Sequence, residues 1–68
     1  MKTIEITKLR KRLFLSRANF SRLLKVPIRT IEDWEYGKNN PSAAADLVLE
    51  LIYVFPTQMV KMLEKIKK

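Results

Sequence analysis

The run Val26-Pro27-Ile28-Arg29-Thr30-Ile31-Glu32-Asp33-Trp34-Glu35-Tyr36-Gly37 holds a break, a short helix and a stop. Pro27 pushes Val26 toward extended geometry, so a helix arriving from the N-terminal side has to end there. Pro27 itself suits the start of the next helix. Ile31 and Trp34, three apart, supply that helix with a buried side. Trp34 is therefore expected in the core and not as a stacking platform for bases. Gly37 ends the helix, because glycine tolerates the left-handed conformation that follows a helix end. The expected element covers 28–36.

Upstream, Phe20, Leu23 and Leu24 form the apolar face of a helix over 16–25. Ser16 can cap it by accepting from backbone N–H groups that otherwise lack partners. Ile6, Leu9 and Leu13, with Lys8, Lys11 and Arg12 on the other side, define a first helix over 3–14. Downstream, Lys38 to Pro41 is loop chemistry and Ser42 caps a fourth helix over 42–55. The residues from Leu47 to Phe55 are strand-like. Ala43-Ala44-Ala45 leads straight into them and no partner strand is visible, so helix is the expectation. After Pro56 a fifth helix over 57–67 turns Met59, Val60, Leu63 and Ile66 inward. Lys61, Lys65, Lys67 and Lys68 stand outward or near its end, where they complement the helix dipole. The expected fold is an all-α bundle of five short helices in one domain spanning 1–68.

Composition narrows the function. The chain has 68 residues, no Cys, no His and one Gly. No imidazole or thiol is available for base, nucleophile or zinc work, and so short a chain encloses a substrate cleft poorly. An enzyme, a metal site and a cofactor are not expected. The first residues have no apolar core like that of a signal peptide. The longest apolar stretch, Leu47 to Phe55, is broken by Glu50 and far shorter than the ~20 residues of a membrane span. A cytoplasmic, membrane-free location is expected; the lack of cysteine fits it.

The net charge of +7 is unevenly placed. Residues 1–26 carry eight basic side chains against Glu5, whereas 27–56 carry two against five acidic ones. The basic first third suggests a polyanionic partner or, equally, a solvated charged face.

The positions Leu9-Arg10, Leu13, Leu15-Ser16, Ala18, Phe20, Leu23-Leu24, Val26, Thr30-Ile31, Trp34-Glu35, Gly37-Lys38, Asn40-Pro41-Ser42, Leu47 and Leu51-Ile52 form a further pattern. Through them the sequence resembles the Cro/repressor type of helix-turn-helix domain, the Xre family, and within it the HigA-type antitoxins. The resemblance implies that helices 2 and 3 form the helix-turn-helix and that helix 3 enters the DNA major groove. By the same resemblance, Ile28, Arg29, Thr30, Glu32 and Asp33 face base edges or the flanking backbone. Arg29 can donate two bonds to guanine, Ile28 can meet a thymine methyl, and Asp33 could accept from cytosine N4. Ser16, Arg17, Tyr36, Lys38 and Asn40 fall where the family contacts phosphate. Arg10 and Glu35 fall where it pairs helix 1 with helix 3 through a partly buried ion pair.

Phe14 and Lys25 stand where the family has glycine, and Arg17 where it has glutamine. A non-glycine residue at positive φ costs about 1 kcal/mol or more. Either the chain accepts that strain or its turns are built differently.

The function so implied is a sequence-specific repressor, binding a palindromic operator as a homodimer. The dimer surface would use Tyr53, Val54, Phe55, Met59 and Met62, unless all five pack inside. The alternative is an antitoxin or interaction module that neutralises a toxin and autoregulates its operon.

Overall fold

Three of the five helices end in the same turn, and this turn sets the shape of the N-terminal half. The computed structural model describes residues 3–66. Its helices are α1 (Thr3–Arg12), α2 (Arg17–Leu24), α3 (Ile28–Glu35), α4 (Ala43–Val54) and α5 (Pro56–Lys65). After α1, the Leu15 N–H reaches back to the Arg10 carbonyl at 3.3 Å and the Phe14 N–H to that of Lys11 at 3.0 Å. After α2, Val26 bonds Ser21 and Lys25 bonds Arg22; after α3, Lys38 bonds Asp33 and Gly37 bonds Trp34. Each is the Schellman pattern, which satisfies carbonyls that a helix end leaves open and demands a left-handed residue. Phe14, Lys25 and Gly37 occupy those positions with φ of 58°, 60° and 74°.

The left-handed turns are therefore present, and two of them hold side chains in a region that favours glycine. Phe14 is 95% exposed, so its ring recovers nothing from packing within the chain. Lys25→Gly and Phe14→Gly should each stabilise the fold by roughly 0.5–1 kcal/mol, the left-handed penalty less the entropy that glycine costs. Urea denaturation reads this directly, and a midpoint that stays put or falls would refute it.

Element ends differ slightly from the sequence expectation. Leu13 and Phe14 belong to the turn, not to α1, and Ser16 and Ser42 stand outside α2 and α4 as their N-caps. Ser16 Oγ accepts from the Asn19 N–H at 3.1 Å, and Ser42 Oγ from Ala45 at 3.2 Å. Lys25, Tyr36 and Phe55 follow the helices that were expected to include them. Pro56 is the first residue of α5, not the residue before it, because its missing N–H is not needed in a first turn. Lys67 and Lys68 lie outside the described residues.

The segment Leu47 to Val54 is helical, and the described residues contain no strand. Its buried side, Leu49 and Ile52, joins Ile6, Leu9, Phe20, Ile31 and Trp34 in one core. Val60 is half-buried and Met59 and Leu63 pack against the core; Ile66, expected inward, is exposed because α5 has ended before it. Contacts run between α2 and α3, α4 and α5, α1 and α3, and α2 and α5. The chain is an all-α five-helix bundle in which α2 and α3 pack together across the Lys25–Pro27 break. No helix is long and apolar enough to cross a membrane among the described residues.

The outer side of α4 is unusual. Leu47, Leu51 and Val54 fall on one stripe of it and are exposed, together with Phe55 just beyond the helix. Tyr53 and Met62 are also exposed; of the five residues offered as a dimer surface, Met59 alone turns inward. A helix that is apolar on both sides is ordinarily covered on both.

Candidate nucleic-acid interface

Glu35, the last residue of α3, is the centre of the polar structure. Its side chain is 1% exposed. Arg10, from α1, donates from Nε to Oε2 at 2.6 Å and from Nη2 to Oε1 at 3.2 Å. The remaining Arg10 end group, Nη1, donates to the Leu15 carbonyl at 2.9 Å, closing the α1–α2 turn. Arg17, the first residue of α2, adds a third donor, Nε to Oε1 at 3.0 Å. One carboxylate thus ties three helices together. Burial pushes the Glu35 carboxyl up, but hydrogen bonds from Arg10 and Arg17, with their charge, outweigh it and hold it below the ordinary carboxylate value. The same Glu35 hydrogen bond raises Arg17, against the opposing effect of burial.

Arg17 is held on a second side. Its Nη1 donates to the Tyr36 hydroxyl at 2.9 Å, and its guanidinium carbon lies 4.9 Å from the centre of that ring. Such a cation over an aromatic face is attractive, modestly so at an exposed site. Nη2 of Arg17 makes no hydrogen bond among the described residues.

On the outer side of α3, Ile28 and Arg29 are exposed at its first turn, and Thr30, Glu32 and Asp33 are half-buried. Arg29 Nε donates to Asp33 Oδ1 at 3.3 Å, one helical turn on. Asn39 Nδ2 donates to Asp33 Oδ2 at 3.4 Å. Lys38 and Asn40 are exposed on the loop that follows, and Ser16 spends its hydroxyl on the α2 cap.

The sequence pattern did not reveal that Arg17 shares Glu35 with Arg10, or that Tyr36 braces it. Eighteen residues separate Arg17 from Glu35, and no periodicity links them. The one signal was a charge standing where a neutral glutamine is usual. The geometry brings Arg10, Arg17, Glu35 and Tyr36 into one cluster and Arg29, Asp33 and Asn39 into another.

Fold and site together describe a small helix-turn-helix bundle whose second and third helices present arginines. No family model matches the chain. Over 52 residues, 76% of this chain, it is 38% identical to the protein named Antitoxin HigA-2 of Vibrio cholerae serotype O1 (strain ATCC 39315 / El Tor Inaba N16961). That match covers 50% of the relative, so the chain spans about half the length of the curated protein it resembles.

Proposed function

We propose that residues 1–68 form a sequence-specific duplex-DNA-binding unit of a small prokaryotic or phage-type transcriptional repressor. One observation carries this reading: α3 packs on α2 and buries Ile31 and Trp34 in the core, while leaving Ile28 and Arg29 exposed at its start. A helix so mounted can lie in the major groove with its first turn toward the bases. Ile28, Arg29, Thr30, Glu32 and Asp33 line the base-facing side. Ser16, Arg17, Tyr36, Lys38 and Asn40 flank it along the phosphates, and the basic residues before Val26 supply long-range attraction. No cofactor, metal or membrane has a part in this reading, which places the protein in the cytoplasm.

The test is fluorescence anisotropy with duplex DNA from upstream of the protein's own gene, at two salt concentrations. Arg29→Ala should weaken binding by about 1–3 kcal/mol on the preferred sequence. Equal binding to scrambled DNA, untouched by Arg29→Ala, would refute the reading.

The same reading has two copies binding half-sites about one helical turn, ~34 Å, apart on a palindrome. The exposed stripe Leu47, Leu51 and Val54, with Phe55 and Met62, is the face proposed to join them, since burying it would complete α4. Val54→Lys should leave the helical circular-dichroism spectrum intact and turn a dimer into a monomer in sedimentation velocity. A monomeric wild type at high micromolar concentration would defeat this part.

A second reading is an antitoxin that neutralises a protein partner and controls its own operon, favoured by the likeness to Antitoxin HigA-2. Rescue of growth on co-expression with a toxic product of the adjacent reading frame supports it; failure to bind that product counts against it.

A further inference from the structure

For an element proposed to enter a groove of a polyanion, α3 is oddly acidic: it carries Glu32, Asp33 and Glu35 against Arg29 alone. Two of these carboxylates have the same occupation. Glu35 accepts from the Nε of Arg10 and of Arg17, and Asp33 accepts from the Nε of Arg29. Arg10 and Arg17 spend Nη groups within the chain as well, whereas Arg29, engaged at Nε alone among the described residues, keeps both Nη groups, the fork that matches paired acceptors.

We propose that Asp33 reads no base and is a positioning residue, holding the Arg29 guanidinium so that its Nη fork meets a guanine edge. This rests on the DNA-binding reading and deepens it. The Arg29 side chain is 71% exposed and that of Asp33 only 19%. Both Asp33 oxygens already face donors of the same chain, Arg29 on Oδ1 and Asn39 on Oδ2. Its main chain is anchored as well, with the Asp33 carbonyl accepting from Lys38 at 2.9 Å and from Asn39 at 3.3 Å. A cytosine amino group would have to share the carboxylate with those donors, on a side chain that is mostly covered. The Arg29 fork, by contrast, has no hydrogen bond among the described residues and stands clear. Arg29 has many rotamers, and restraining it beforehand lowers the entropy lost when it binds. Pairing with Asp33 also cancels a negative charge that would repel the backbone.

The experiment is selection from a randomised duplex library, with the enriched sequences compared for wild type, Arg29→Ala, Asp33→Ala and Asp33→Asn. Each variant is first matched to wild type by circular dichroism. Wild type should prefer guanine at one position by roughly 5- to 100-fold. Arg29→Ala should flatten that position, and Asp33→Ala should flatten the same one part of the way. Asp33→Asn keeps an oxygen for Arg29 Nε and should retain the guanine. If Asp33 reads cytosine instead, Asp33→Ala flattens a separate cytosine position and Asp33→Asn turns it toward adenine, the base asparagine pairs with. Either of those results overturns the proposal and leaves DNA binding standing, as does a guanine preference untouched by Asp33→Ala. A wild type that enriches no sequence overturns both.

Discussion

Replacing Glu35 with glutamine is expected to cost the fold about 3–5 kcal/mol, because it leaves a buried arginine without its counter-charge. The scale makes this severe. At ~0.05–0.15 kcal/mol per residue, a chain of 68 residues has roughly 3–10 kcal/mol in all. Arg10 is the residue stranded, its side chain only 11% exposed, while Arg17 can turn toward water. A thermal melt followed by circular dichroism should show a loss of more than about 10 °C. An unchanged melting temperature would dismiss the ion pair as the tie between α1, α2 and α3.

Acid should reproduce the effect in the wild type. Glu35 is held ionised below the ordinary glutamate value of ~4.3, so the unfolded chain takes up its proton first as pH falls. The contribution is complete above that value and is lost as pH drops through the lower, folded one. Glu35→Gln lacks this step, and its stability should be flatter across the same acidic range.

Trp34→Ala is the second large effect, about 3–5 kcal/mol for emptying an aromatic site in a closed core. Trp34 is 5% exposed and clusters with Ile6, Leu9, Phe20, Ile31, Leu49 and Ile52, which come from four helices. The indole is what α3 leans on, and its loss frees the helix that carries Arg29. Trp34→Phe retains most of the packing and should keep both fold and DNA affinity. Urea denaturation separates the two substitutions. A Trp34→Ala protein with an unchanged midpoint and selectively lost DNA binding would make Trp34 a base platform instead.

The punctuation of this fold was legible because it is local. Pro27, Gly37, Ser42 and Pro56 act on their own backbone or on the next turn, and the five helices fall within a residue or two of where they direct. The packing residues Phe20, Ile31 and Trp34 were legible through spacing. Spacing also placed Met59 and Leu63 inward correctly, but not Ile66, which falls beyond the end of α5. Helix or strand for Leu47 to Val54 hung on three alanines and on the lack of a partner strand. At Phe14 and Lys25 the sequence left two choices open, strain or a different turn, and the φ values select strain. Beyond the Arg10–Glu35 pair, which the resemblance implied, the candidate site was legible as a set of residue types but not as a set of bonds. Nothing in the spacing of Arg17, Glu35 and Tyr36, or of Arg29 and Asn39, says which donor each carboxylate takes.

The strained turns also bear on how long the protein lasts. Phe14 and Lys25 each hold roughly 0.5–1 kcal/mol that glycine would release, and the one or two kcal/mol of the pair changes the ratio of open to closed chains by roughly 5- to 30-fold. Proteases that cut an open chain more slowly than it recloses follow that ratio. The two residues that lie outside the core and take no part in the proposed base contacts therefore help to set the lifetime of the whole chain in a cell.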